Sequence, residues 1–147
     1  MVTFGAERAR DGVLLVARIL LIALFVVFGW SKLTDYGGTV GYMAQMGLPV
    51  PSVAAMVVIL VEVFIALAVA VGAWTRPLAI LLALYTLGTS FIGHPFWTME
   101  GTARYGNAIN FYKNVSIIGG FLLLYVTGPG RYSVDAALAR SRAPQPR

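Results

Sequence analysis

Cysteine is absent from this chain, and histidine occurs once, as His94. The first absence excludes disulfides, thiol relays, CxxC redox motifs and thiolate-ligated clusters. The second excludes a bis-histidine haem within one chain. Charge is also scarce, at 12% of residues against roughly a quarter in a soluble globular domain. With 59% hydrophobic residues and a mean hydropathy of +0.79, the 147 residues cannot cover themselves with polar surface. No two of His94, Glu62, Asp35 and Glu100 stand at a helix-ligand spacing, so neither a metal site nor an intrinsic cofactor is expected. The net charge of +5 does not indicate nucleic acid, because the basic residues flank apolar runs instead of forming a patch. They read as topology signals and as contacts with lipid headgroups.

What the chain has in abundance is apolar length. Span one runs from Val13 to Trp30, about 18 residues or ~27 Å, close to the hydrocarbon thickness. It follows Arg8 and Arg10 but lacks a small-x-small cleavage site, so it reads as a span and not as a signal peptide. The segment from Thr34 to Pro51 is too polar to cross. Tyr36, Val40, Met43 and Met46 recur there at helical spacing, predicting a short interfacial amphipathic helix that stops at Gly47-Leu48-Pro49. Span two follows Pro51, with Ser52 as its N-cap, and reaches Ala73; span three starts at Pro77 and ends near Gly93; span four covers Asn107 to Thr127. Ser133 is placed to cap one short amphipathic turn. The expected organisation is one all-α domain over residues 1–136, a four-transmembrane-helix bundle, followed by a basic disordered cytoplasmic tail over 137–147. Arg8, Arg10, Arg76, Arg131, Arg140, Arg142 and Arg147 fall on one side, against Lys32 and Arg104 on the other, with Lys113 just inside span four. The positive-inside rule then puts both termini in the cytoplasm.

Three spans carry an ionisable residue in apolar surroundings: Arg18, Glu62 and Lys113. A charge at the bilayer centre costs roughly 2.5–3.5 kcal/mol on insertion scales, so such groups turn inward, pair, or line a polar cavity. Glu62 is within reach of either Arg18 or Lys113, and the spacing does not choose between them. Arg18 snorkelling to the inner surface and Lys113 reaching headgroups are the plainer readings. By depth, Lys32, Thr89, Ser90, His94, Asn110, Lys113 and Asn114 gather in the outer half, with Glu62 at the floor. Phe91, Phe96, Trp97, Phe111 and Tyr112 would wall an outward-facing pocket. His94 before a proline is otherwise an ordinary helix-end residue.

The ordered set Arg18, Gly29-Trp30-Ser31-Lys32-Leu33, Gly47-Leu48-Pro49, Glu62, Gly72 and Thr75-Arg76-Pro77 resembles the DoxX family of small membrane proteins. His94-Pro95-Phe96-Trp97, Lys113-Asn114, Gly119-Gly120 and Gly128-Pro129-Gly130-Arg131-Tyr132-Ser133 extend the match over residues 12–136. The resemblance implies a bacterial inner-membrane, four-helix protein tied to respiratory or redox complexes, with relatives acting as scaffolds or as assembly and cargo factors. The combined expectation is an accessory subunit or anchor in a redox assembly, not a self-sufficient enzyme. Its pocket would take a quinone or lipid through Lys32, Glu62, His94, Lys113 and Asn114, stacked on Trp97 and Tyr112. A non-catalytic scaffold and a small transporter or proton-conducting module are the rival readings, and homo-oligomerisation is compatible with each.

Overall fold

A computed structural model describes residues 4–142, with side chains from residue 9 onward. Every element in it is helical. The long first helix, α1 (Phe4–Thr34), is followed directly by α2 (Tyr36–Gln45). The second span consists of α3 (Pro51–Ile59), a π-helical turn (Leu60–Ile65) and α4 (Ala66–Val71). Then come α5 (Thr75–Gly93), a single 3₁₀ turn (Phe96–Thr98), α6 (Gly101–Thr127) and α7 (Val134–Arg142). Four helical stretches are long and apolar enough to cross a membrane: Ala9–Thr34, Pro51–Val71, Thr75–Thr98 and Gly101–Thr127. The four-span bundle and the intervening short helix are as the hydrophobic pattern predicts.

The helix boundaries differ from the apolar segments at three points. Val50, with a positive φ of 49°, precedes the second span, and Pro51 takes its first position. Ser52 is therefore not the cap. The third span begins at Thr75, one residue after Trp74 at φ 48°. The last begins at Gly101 because its polar first turns extend the helix beyond the apolar segment. Residues 137–142, expected to be disordered, belong to α7. Ser133 caps that helix as expected, its Oγ accepting from the Ala136 amide at 3.2 Å, while residues 143–147 lie outside the described range.

The spans pack through an apolar mid-section in which Ile22, Phe25, Val61, Val69, Leu82, Phe121 and Leu124 are buried together with Ala66, Ala79 and Ala83. Alanines at these crossings let backbones approach, as membrane helices require when lipid competes equally for apolar contact. Phe25 and Phe121 meet edge to face at 5.6 Å between ring centroids. At Gly120, an added methyl would stand 2.8 Å from a Leu21 methyl, so α1 and α6 touch there with no room to spare. The outward surface carries Val13, Leu20, Val27, Phe64, Leu84 and Leu123 exposed, as hydrocarbon solvent permits. The α2 helix folds back against the start of the second span, where the Tyr36 hydroxyl donates to the Ser52 carbonyl at 3.0 Å.

Candidate functional site

Two polar centres are built into the bundle, one toward each end. At the Lys32 end, the Lys32 ammonium forms an ion pair with Glu62 Oε2. The Tyr85 hydroxyl donates to Glu62 Oε1 at 2.7 Å. Three spans thus converge on one carboxylate. Glu62 stands in the π-helical turn, where the Ala66 amide reaches back to the Val61 carbonyl. A π turn accommodates one residue more than an α turn and is found mostly where function or packing demands it. The opposing helix comes close because position 29 is glycine: a Cβ there would lie 2.8 Å from Glu62 Cβ and 2.9 Å from its carbonyl carbon. This is the only ion pair among the described residues.

Glu62 therefore pairs with neither Arg18 nor Lys113, correcting both expected pairings. Lys113 lies on an exposed face of α6 and donates to Asn110 Oδ1 at 2.9 Å, one turn away. Lys113 shares the side of α6 that carries Leu124, buried three turns further on, but at its own level that side is exposed. Lys32, by contrast, shares a stripe with Arg18, Phe25 and Gly29, and that stripe faces the second span.

The expected aromatic pocket is also corrected. Phe91, Phe96, Trp97, Phe111 and Tyr112 pack on one another, with ring centroids 5.3–5.9 Å apart. They fill the space that they were expected to enclose. His94 Nδ1 lies 3.0 Å from Asn107 Oδ1, tying the end of α5 to α6. Asn114 is half-buried on α6. His94 and Trp97 thus lie in the connection between α5 and α6, Tyr112, Lys113 and Asn114 lie on α6, and the Glu62 carboxylate is held instead by Lys32 and Tyr85.

A cleft that shares Lys32 with the ion pair lies on the α1–α2 side. Its volume is about 260 Å³, and Phe28, Ser31, Lys32, Asp35, Gly38, Thr39 and Tyr42 line it. Lys32 belongs to both the cleft and the ion pair. Asp35 caps α2, its Oδ1 accepting from the Gly38 amide at 3.0 Å. A larger trough of about 490 Å³ along the first half of α1 is lined by Ala9, Gly12, Val13, Val16, Ala17 and Leu20. With one helix and no polar side chain to define it, that trough is lipid-facing surface and not a recognition site.

At the other end, Arg18 is 1% exposed, which excludes snorkelling. Its Nε donates to the Ala70 carbonyl at 2.9 Å, Nη1 to Pro129 at 2.6 Å and Nη2 to Tyr132 at 2.7 Å. These acceptors are backbone groups left over where the second span ends and where the Gly128-Pro129-Gly130 turn reverses the chain. The accounting around Gly72 is nearly complete. The amides of Gly72 and Ala73 cover the Val69 and Ala68 carbonyls, Arg18 covers Ala70, and the Asp135 amide covers Gly72 itself. Gly72 has φ 74°, and a Cβ there would meet Ser133 Cβ at 2.4 Å and Arg18 Nη1 at 2.7 Å.

Asp135 completes this knot from α7. Its two oxygens accept from the amides of Trp74 at 2.8 Å and Thr75 at 2.9 Å, the otherwise orphaned donors at the start of α5. Burial alone would raise the Asp135 carboxyl; the Thr75 and Trp74 amides and the nearby Arg18 guanidinium outweigh it and hold the carboxyl below its ordinary range. Sequence reasoning missed Tyr85 and Asp135. Tyr85 carried a usable signal, a hydroxyl in an apolar span one turn before Thr89. Asp135 carried none, since its partners lie about sixty residues away.

Comparison with known proteins agrees with this architecture. The DoxX family model matches residues 13–95. The chain is 51% identical over 132 residues to the inner membrane protein YphA of Escherichia coli (strain K12), covering 90% of this chain and 93% of that protein. It is 45% identical over 132 residues to the inner membrane protein YqjF of the same organism, covering 90% and 96%. The ER-derived vesicles protein ERV29 of Saccharomyces cerevisiae is 26% identical over 129 residues, covering 88% of this chain but 34% of that longer protein. No solved structure matches the chain. With the family model spanning more than half of the sequence and two bacterial relatives aligned over nearly their whole lengths, this four-span chain belongs to the DoxX family of membrane proteins.

Proposed function

We propose that the chain is an integral inner-membrane subunit or anchor serving a redox-associated assembly, and that its Lys32–Glu62–Tyr85 centre and adjoining cleft hold the head of an amphiphile, a quinone or a lipid. The observation that carries this reading is the shared position of Lys32. It closes an ion pair that joins helices across the bundle and lines a neighbouring surface cleft at the same time. An ammonium has three donors, and Glu62 takes one. The others are available to a carbonyl or phosphate oxygen in the cleft. At about 260 Å³ the cleft suits one ring or headgroup, with the apolar tail left in the bilayer. Against a quinone carbonyl, Lys32 would supply the hydrogen bond, and Glu62 with Tyr85 would hold an exchangeable proton next to it. The relatives named inner membrane proteins support the location, and the family resemblance supports the redox association.

The test is decylubiquinone binding to the purified full chain, read by quenching of tryptophan fluorescence. Lys32→Met is expected to weaken binding at least tenfold, while Lys113→Met leaves it unchanged. Equal affinity in the wild type and Lys32→Met would overturn the reading for quinones.

A scaffold without a small-molecule ligand is the second reading. It is favoured by the internal satisfaction of both centres, since Glu62 has a partner on each oxygen and Arg18 has three carbonyls. Deleting the gene and profiling native membrane complexes separates the two. Loss of a partner complex, with no small molecule ever co-purifying, selects the scaffold.

A further inference from the structure

We propose that the cleft between α1 and α2 reads the headgroup of an aminophospholipid, with the phosphate on Lys32 and the primary ammonium on Asp35. This rests on the amphiphile-binding reading above and names the chemical class.

Lys32 and Asp35 stand three residues apart, the spacing that brings neighbouring side chains on a helical path to roughly 5–6 Å between Cβ atoms. Both line the cleft. In phosphatidylethanolamine the ammonium is one ethylene link from the phosphodiester, which matches a cation and an anion placed side by side. Asp35 uses Oδ1 to cap α2, and Oδ2 has no hydrogen-bond partner among the described residues. Gly38 keeps that oxygen open, because a Cβ there would lie 2.2 Å from it. Ser31 and Tyr42 line the same cleft and add hydroxyl donors for phosphate oxygens.

Depth agrees with the assignment. The span Ala9–Thr34 has 26 residues, or ~39 Å at 1.5 Å each, against a hydrocarbon core of about 30 Å. Its last turn, with Lys32, therefore reaches the headgroup layer, two residues beyond the exposed Trp30. Below the cleft, Phe28, Leu24 and Leu20 recur every fourth residue and are exposed, a continuous apolar ridge along which an acyl chain can lie. The charge pattern discriminates among headgroups. A choline has no N–H to donate to Asp35, and a glycerol headgroup brings no cation, so its phosphate meets Asp35 uncompensated.

The experiment uses the purified full chain in detergent, supplemented with dioleoyl phosphatidylethanolamine, phosphatidylcholine or phosphatidylglycerol. Retained lipid is read by native mass spectrometry, and Tm is read alongside. The wild type is expected to retain the ethanolamine lipid about tenfold better than the other two and to gain most Tm with it. Asp35→Asn, which preserves the cap because Asn caps as well as Asp, is expected to keep the Tm of the lipid-free protein and lose the preference. Lys32→Met is expected to weaken retention of all three lipids. Equal retention of ethanolamine and choline lipids by the wild type, or an undiminished ethanolamine preference in Asp35→Asn, would overturn the inference. Decylubiquinone binding that persists without any headgroup preference sinks this inference and leaves the broader reading standing. Loss of both quinone and lipid binding sinks both.

Discussion

A methyl group at Gly29 would press simultaneously on the Cβ, carbonyl carbon and carbonyl oxygen of Glu62, at 2.8, 2.9 and 3.0 Å. Two of these atoms are backbone, so nothing flexible can yield, and α1 would have to move away from the π-helical turn. Gly29→Ala is expected to cost about 1–3 kcal/mol, the usual range for overpacking, measured as reversible unfolding in mixed micelles. Gly41, which has nothing near its Cβ position, is the matched control and is expected to tolerate alanine. Arg18→Met is expected to be costlier. It keeps an unbranched apolar stem but leaves three backbone carbonyls without the charged donor, and each such bond contributes about 1.5–3 kcal/mol. The same unfolding assay should show a loss of at least 3 kcal/mol; a loss under 1 kcal/mol would mean that water replaces the guanidinium at no cost.

The arrangement of α7 shows how a short polar helix can be held without a hydrophobic face. Its Asp135 supplies the N-terminal acceptors that α5 lacks, where strained Trp74 precedes Thr75. Asp135→Ala removes those acceptors and is expected to cost about 0.5–2 kcal/mol, the range for a lost N-cap. Hydrogen exchange over residues 134–142 should rise correspondingly. The pH dependence has a definite sign. The folded-state carboxyl is held below its unfolded value of about 3.9. Its stabilisation is therefore fully present above about pH 4 and is lost as pH falls through the folded value. Acidification from pH 7 to 5 should leave α7 docked, and further acidification should release it. Release already at pH 6, followed by exchange, would contradict this assignment. The existence of a cap at Ser133 is readable from the residues around it, but the docking of α7 is not, because the partners of Asp135 lie sixty or more positions away.

For the molecule as a whole, an even number of spans brings the start of α1 and the whole of α7 to the same end. Arginines crowd that end, so the positive-inside rule predicts that it is cytoplasmic. A fluorescent protein fused after Arg147 should fluoresce, and alkaline phosphatase fused there should be inactive; the reverse pattern would invert the topology.

The span count, the surface helix at Tyr36–Gln45 and the family follow from hydrophobic runs and ordered short motifs, because the bilayer accepts only segments of a certain length and polarity. The stripe joining Arg18, Gly29 and Lys32 was equally legible, since it depends on one helix alone. Partner choice was not. Whether Glu62 meets Lys32, Lys113 or Arg18 depends on the rotation of separate helices about their own axes, and a π turn shifts that rotation with no distinctive composition to announce it. Helical periodicity reports which side of a helix a residue occupies; packing against neighbours decides what that side faces. The sequence therefore determines which residues carry charge inside the bundle, and the tertiary structure decides which of them pair.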